Sequence, residues 1–80
     1  MSQIRREIGV LVHFHDGLIE PFKIKYEDRT YWIKSTRRPR KLDNNDLEWV
    51  VFLKDGRMAK IYYTDLSKRW YLTKPPTRIS

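Results

Sequence analysis

Cations and flat aromatic rings share one side of two alternating stretches of this sequence, and that pairing is its clearest chemical signal. In the first stretch Lys23, Lys25, Trp32 and Lys34 fall on one side; in the second, Lys60, Tyr62, Arg69 and Tyr71 do. Ammonium and guanidinium groups pair with phosphates, and any base can stack on an aromatic ring, at about 1–3 kcal/mol per base. Lys23, Lys25, Lys34 and Lys60 are thus candidate phosphate contacts, and Trp32, Tyr62 and Tyr71 candidate stacking platforms. The same pattern has a plainer reading, in which cross-strand lysine–tyrosine and threonine–tryptophan neighbours stabilise an exposed sheet face and lysine stems lie over the rings.

A second candidate is the run from Lys34 to Lys41, with five cations in eight residues. Arg37, Arg38, Arg40 and Lys41 could reinforce phosphate binding, with Pro39 limiting how freely the arginines move. Such runs are also commonly just solvated, and Asp43, Asp46 and Glu48 follow closely enough to fold back and neutralise part of it. His13 and His15 share one side of a strand, a spacing at which both could reach one metal ion. Only Asp16 and Glu20 stand near as further ligands, whereas zinc wants three or four in all, so no metal or other cofactor is expected. Nucleophilic chemistry has no candidate. There is no cysteine, glycine-rich phosphate loop or nucleophile elbow, and the carboxylates are scattered among basic residues in turns. The chain reads as non-enzymatic.

The frame for these side chains is a cassette that occurs twice. Asp16-Gly17 precedes an alternating stretch at 22–26, a reversal at 27–29 and a second stretch at 31–33. Asp55-Gly56 precedes the matching stretches at 59–63 and 70–72, with two more residues in the reversal between them. A period of two makes each copy a hairpin. A common register puts Phe22, Ile24, Tyr26, Tyr31, Ile33, Ala59, Ile61, Tyr63, Trp70 and Leu72 inside, and Val10, Val12, Phe14, Val51 and Leu53 complete the expected core. Trp32 and Tyr71 should then be more exposed than Tyr31 and Trp70. Residues 8–15 alternate as a further strand, and 49–53, apolar on both faces, read as a strand covered on both sides. Pro21, lacking an N–H, belongs at the start or edge of its strand. Residues 35–46 read as a loop with a single helical turn near 45–48, and Pro75-Pro76 ends regular pairing. Short strands, tight turns and no long helix predict an all-β fold. We expect a small antiparallel barrel of five or six strands, SH3-like or similar, built as a meander of hairpins.

Eighty residues make one domain, 1–80, with 1–7 and 75–80 expected as loose termini. A chain of this size buries roughly 60–65% of its unfolded surface, and without cysteine it must fold by packing alone. Seventeen basic against ten acidic residues leave +7, enough to attract polyanions non-specifically. The apolar run near the N-terminus is interrupted by His13 and His15 and is too short to span a membrane. The expectation is a soluble, cytoplasmic protein, a compartment that the lack of cysteine suits.

Placed on strands, the residues resemble a family of short bacterial domains of unknown function. The matching positions are Phe14, Asp16, Gly17, Pro21, Phe22, Ile24, Tyr26, Arg29, Tyr31 and Ile33, then Tyr63, Asp65, Trp70, Tyr71 and Leu72, spanning residues 8–72. This chain departs from the pattern in a bulkier cation cluster at 37–41. A similar small domain is appended to some Y-family-like DNA polymerase homologues, so the resemblance implies a DNA-associated role; the family brings no known catalytic or binding residues. With the charge and the aromatics, it makes non-specific nucleic-acid binding, to single strands or duplex backbone, the leading expectation. The alternative is a protein-interaction or self-association module, with a protein partner or homodimer covering the same aromatics.

Overall fold

The structure, a computed structural model, describes residues 6–42 and 44–78, the side chain of His15 excepted. The strands are β1 (Arg6–His15), β2 (Leu18–Tyr26), β3 (Arg29–Thr36), β4 (Arg40–Lys41), β5 (Leu47–Leu53), β6 (Arg57–Thr64) and β7 (Arg69–Arg78). All pair antiparallel, in the order β3-β2-β1-β7-β6-β5-β4, and a further pairing of β3 with β5 closes the wall. The result is a closed six-stranded meander barrel with the two-residue β4 added beside β5. Among the described residues no helix is long and apolar enough to cross a membrane.

The turns follow from their residues. His15 pairs with Leu18 across Asp16-Gly17, and both turn residues adopt positive φ, 52° and 75°, the backbone that suits the twist of a two-residue hairpin. The second Asp-Gly makes a different turn. Gly56 alone is left-handed, at φ 90°, with its N–H donating to the Leu53 carbonyl at 3.1 Å, while Asp55 Oδ1 accepts the Arg57 N–H at 3.0 Å. The reversals also differ in length as the cassettes imply: Tyr26 pairs with Arg29, whereas Thr64 pairs with Arg69 around four residues.

The core comprises Ile8, Ile24, Ile33, Trp49, Val51, Leu53, Ala59, Ile61 and Leu72, with Val10, Ile19, Tyr26, Tyr31, Leu47, Tyr63 and Trp70 packed half-buried against it. Trp70 lies between Trp49 and Tyr63, at ring separations of 5.1 and 4.9 Å. Trp32 is indeed more exposed than Tyr31. Tyr71 does not stand out from Trp70 in the same way, since both are half-buried; Tyr71 sits on the outer wall with Glu7 and Tyr62 paired on either side.

Several expectations are corrected. Phe22 does not face the core. Leu11 pairs with Lys23 and Val12 with Pro21, so Phe22 is the extra residue of a β-bulge, and the strand changes phase there. Pro21 lies inside β2 rather than at its start, but at an edge as its missing N–H requires, because β3 pairs only with residues 23–26; its side chain is fully buried. Phe14 is 74% exposed, because it pairs with Ile19 near the tip of the β1–β2 hairpin, where neither β7 nor β3 flanks the pair. The expected loop after residue 35 is partly strand: β3 continues through Thr36, and Arg40 and Lys41 pair with Glu48 and Leu47. No helical turn forms near 45–48; Asn45 takes φ 68° in a tight turn and β5 begins at Leu47. Arg6 and Glu7, expected in a loose terminus, pair with Leu72 and Tyr71. At the other end β7 runs on past the two prolines, pairing Thr77 with Met58 and Arg78 with Arg57. The prolines fall where the register slips opposite Ala59, and among the described residues β1 pairs with β7 only at residues 70–72.

Candidate functional site

Three neighbouring strands carry a row of rings on their outer face. His13 of β1 stacks on Phe22 of β2 with ring centres 4.1 Å apart and planes 17° from parallel, and Phe22 stands 6.5 Å from Trp32 of β3. The bulge creates this row, since without the extra residue Phe22 would point inward. Trp32, 48% exposed, is flanked by two ammonium groups, with Lys23 Nζ 4.6 Å and Lys54 Nζ 5.9 Å from the ring centre. Lys54 is held there by its own backbone, which donates to the Trp32 carbonyl at 2.9 Å. An ammonium over an indole face is favourable.

A second cluster lies on the outer wall of β4, β5, β6 and β7. Arg40, Lys60 and Lys74 border a polar cleft of about 420 Å³, together with Leu42, Glu48, Tyr62 and Thr73. Glu48 partly neutralises Arg40, at 3.7 Å, whereas Lys60 and Lys74 have no ion-pair partner among the described residues. The cleft joins a cation from the basic run to one from the sheet face, which lie twenty positions apart in the chain. Between the clusters Arg37 sits over Phe52 on the outside of β5, its guanidinium carbon 5.6 Å from the ring centre.

Tyr62 leaves the set of stacking platforms. It is only 5% exposed, and its hydroxyl donates to a carboxylate oxygen of Asp46, itself 4% exposed. The other Asp46 oxygen accepts the Asp65 N–H at 2.9 Å, and the Asp46 carbonyl accepts from Leu42 N–H at 2.8 Å. Asp46 thus ties the β4–β5 turn to β6 and to the β6–β7 turn, and Tyr62 serves as its clamp. Of the three acids close enough to fold back on the basic run, Glu48 meets Arg40, Asp46 is engaged by Tyr62 and the Asp65 backbone, and Asp43 lies outside the described residues.

The remaining candidates are spread around these clusters. Lys25, Lys34, Arg38 and Lys41 are exposed, and none has an ion-pair partner among the described residues. The acids are largely taken by other cations: Glu27 by Arg6 at 2.9 Å, Glu7 by Arg69 at 3.3 Å, Asp55 by Arg57 at 3.7 Å and Asp65 by Lys68 at 2.9 Å. The hydrogen bond to Asp65, with that carboxylate's charge, raises the Lys68 pKa above its ordinary value. Lys54, Lys74, Phe22 and Phe52 were missed from the sequence. Lys54 reaches Trp32 only through the β3–β5 pairing, which no local pattern announces. Among the described residues no group of three or more potential metal ligands gathers; the His15 side chain lies outside them. No family model, curated protein or solved structure matches this chain.

Proposed function

We propose that this protein is a non-enzymatic module that binds single-stranded nucleic acid without reading its sequence. The observation that carries the reading is Trp32, a half-exposed indole with the Lys23 and Lys54 ammonium groups close to its ring and Phe22 beside it. A base would stack on the indole while the flanking phosphates meet the ammonium groups. The Arg40–Lys60–Lys74 cleft supplies a further phosphate contact. The sequence resemblance to a domain appended to DNA polymerase homologues makes DNA the first polymer to test.

The test is a fluorescence-anisotropy titration of the whole chain with a labelled mixed-sequence oligonucleotide at low and at moderate salt. Binding that weakens steeply with salt, and that a duplex of equal length displaces poorly, is expected. No binding at low salt overturns the proposal. A dimer in light scattering that dissociates in Trp32→Ala would instead give the face to self-association.

A further inference from the structure

The barrel wall parts between β2 and β3. These strands pair only from Lys23 to Tyr26 against Trp32 to Arg29. Beyond the bulge, among the described residues, Leu18, Ile19 and Pro21 have β1 on one side and no strand on the other, while Ile33, Ser35 and Thr36 pair with β5 alone. Two open strand edges therefore face the same gap. The gap holds a cleft of about 460 Å³ whose lining includes the apolar Ile19, Leu47 and Trp49, the Thr36 segment, and two arginines, Arg37 and Arg38, against a single acid, Glu20.

The backbone of β3 is the edge that can accept a new strand. Successive residues of a strand point their N–H and C=O groups to opposite sides. Arg37 donates its N–H to the Val50 carbonyl at 3.0 Å, toward β5, so Thr36 presents its groups to the gap. Such an edge is a template for an extended chain. The opposite edge is blunted by Pro21, which has no N–H to offer. Charge selects the occupant. Arg38 is exposed, neither it nor Arg37 has a carboxylate within ion-pair distance among the described residues, and the Arg37 guanidinium lies over the Phe52 ring.

We propose that this cleft takes an extended acidic peptide, added as a strand along the Ile33–Thr36 edge, with one apolar side chain entering beside Ile19, Leu47 and Trp49 and a neighbouring carboxylate meeting Arg37 and Arg38. The proposal stands apart from the nucleic-acid face, which is read at Trp32.

The experiment screens the full chain against a random library of peptides about six residues long, a common strand length. Selected peptides should carry an apolar residue flanked by aspartate or glutamate. The best of them, synthesised with alternate backbone nitrogens methylated, should bind at least about tenfold more weakly, because N-methylation removes the main-chain donors of a strand. Arg38→Glu, at an exposed position, should weaken the acidic peptide by a similar factor, and the unmethylated peptide should slow exchange of the Thr36 amide proton. A library with no enrichment, or enriched in basic residues, overturns the proposal. So does a methylated peptide that binds equally well, or a Thr36 amide unchanged at saturation. A dimer in sedimentation that excludes the peptide assigns the cleft to a second copy of this chain, and an oligonucleotide that protects Thr36 assigns it to nucleic acid; either also overturns it.

Discussion

Trp32→Ala removes the ring on which a base would stack and leaves the core untouched, because the indole lies on the outer wall. Oligonucleotide binding should weaken roughly fivefold to 150-fold, the equivalent of about 1–3 kcal/mol, with an unchanged circular dichroism spectrum. Asp46→Ala should act the other way. It strips a buried tyrosine hydroxyl and a backbone N–H of their acceptor, so stability in urea should fall by about 2–4 kcal/mol. That contrast separates two aromatics, Trp32 and Tyr62, which look alike in the sequence because each alternates with lysines. Trp32 was legible, since its face follows from a period of two that is unbroken between it and Tyr31. Tyr62 was not, since its burial depends on an aspartate sixteen residues away in a turn of another hairpin. Phe22 was misplaced for a third reason: a single extra residue reverses every assignment on one side of it, and no residue type signals a bulge uniquely.

Among the elements, the two Asp-Gly turns show how equal dipeptides serve unequal hairpins. The first is a two-residue loop with both residues left-handed, and the second leaves only Gly56 at positive φ. Gly56→Ala should therefore cost about 1–2 kcal/mol from backbone strain alone, because nothing lies within 4 Å of the added methyl. Thermal denaturation of the variant checks this, and an undiminished midpoint would mean the turn relaxes. The meander, its inward residues and the longer second reversal could all be read from alternation and turn chemistry. The strand status of Arg40 and Lys41 could not be, because a two-residue strand carries no period of its own and exists only as partner to β5. For the same reason the polar cleft was invisible: it is assembled from β4, β5, β6 and β7, and its third cation, Lys74, lies in a stretch that its two following prolines marked as irregular.

At the scale of the whole molecule, several outer strands carry cations that have no carboxylate partner among the described residues, while Glu7, Glu27, Glu48, Asp55 and Asp65 are paired with other cations. If four to six phosphates are neutralised, the slope of log K against log salt should be about −3 to −4 for a single strand, and Lys60→Gln should make it shallower by about 0.7. Titrations at four salt concentrations measure both, and an interface made of apolar contacts would give a nearly flat line. The closure of the barrel carries a last consequence. Every other junction in the six-stranded wall joins consecutive strands or, at β3–β5, strands separated by one short element. The junction of β1 with β7 is the exception, three paired positions among the described residues bringing residues 6–8 to residues 70–72. Joining distant segments carries the largest loop entropy and, here, few bonds to offset it. It should be the last seam to form in folding and the first to open in the native state, so the amide protons of Arg6, Glu7 and Ile8 should exchange with solvent well before those of β5 and β6. On that reading the barrel is a sheet that spends a small, measurable fraction of its time unrolled.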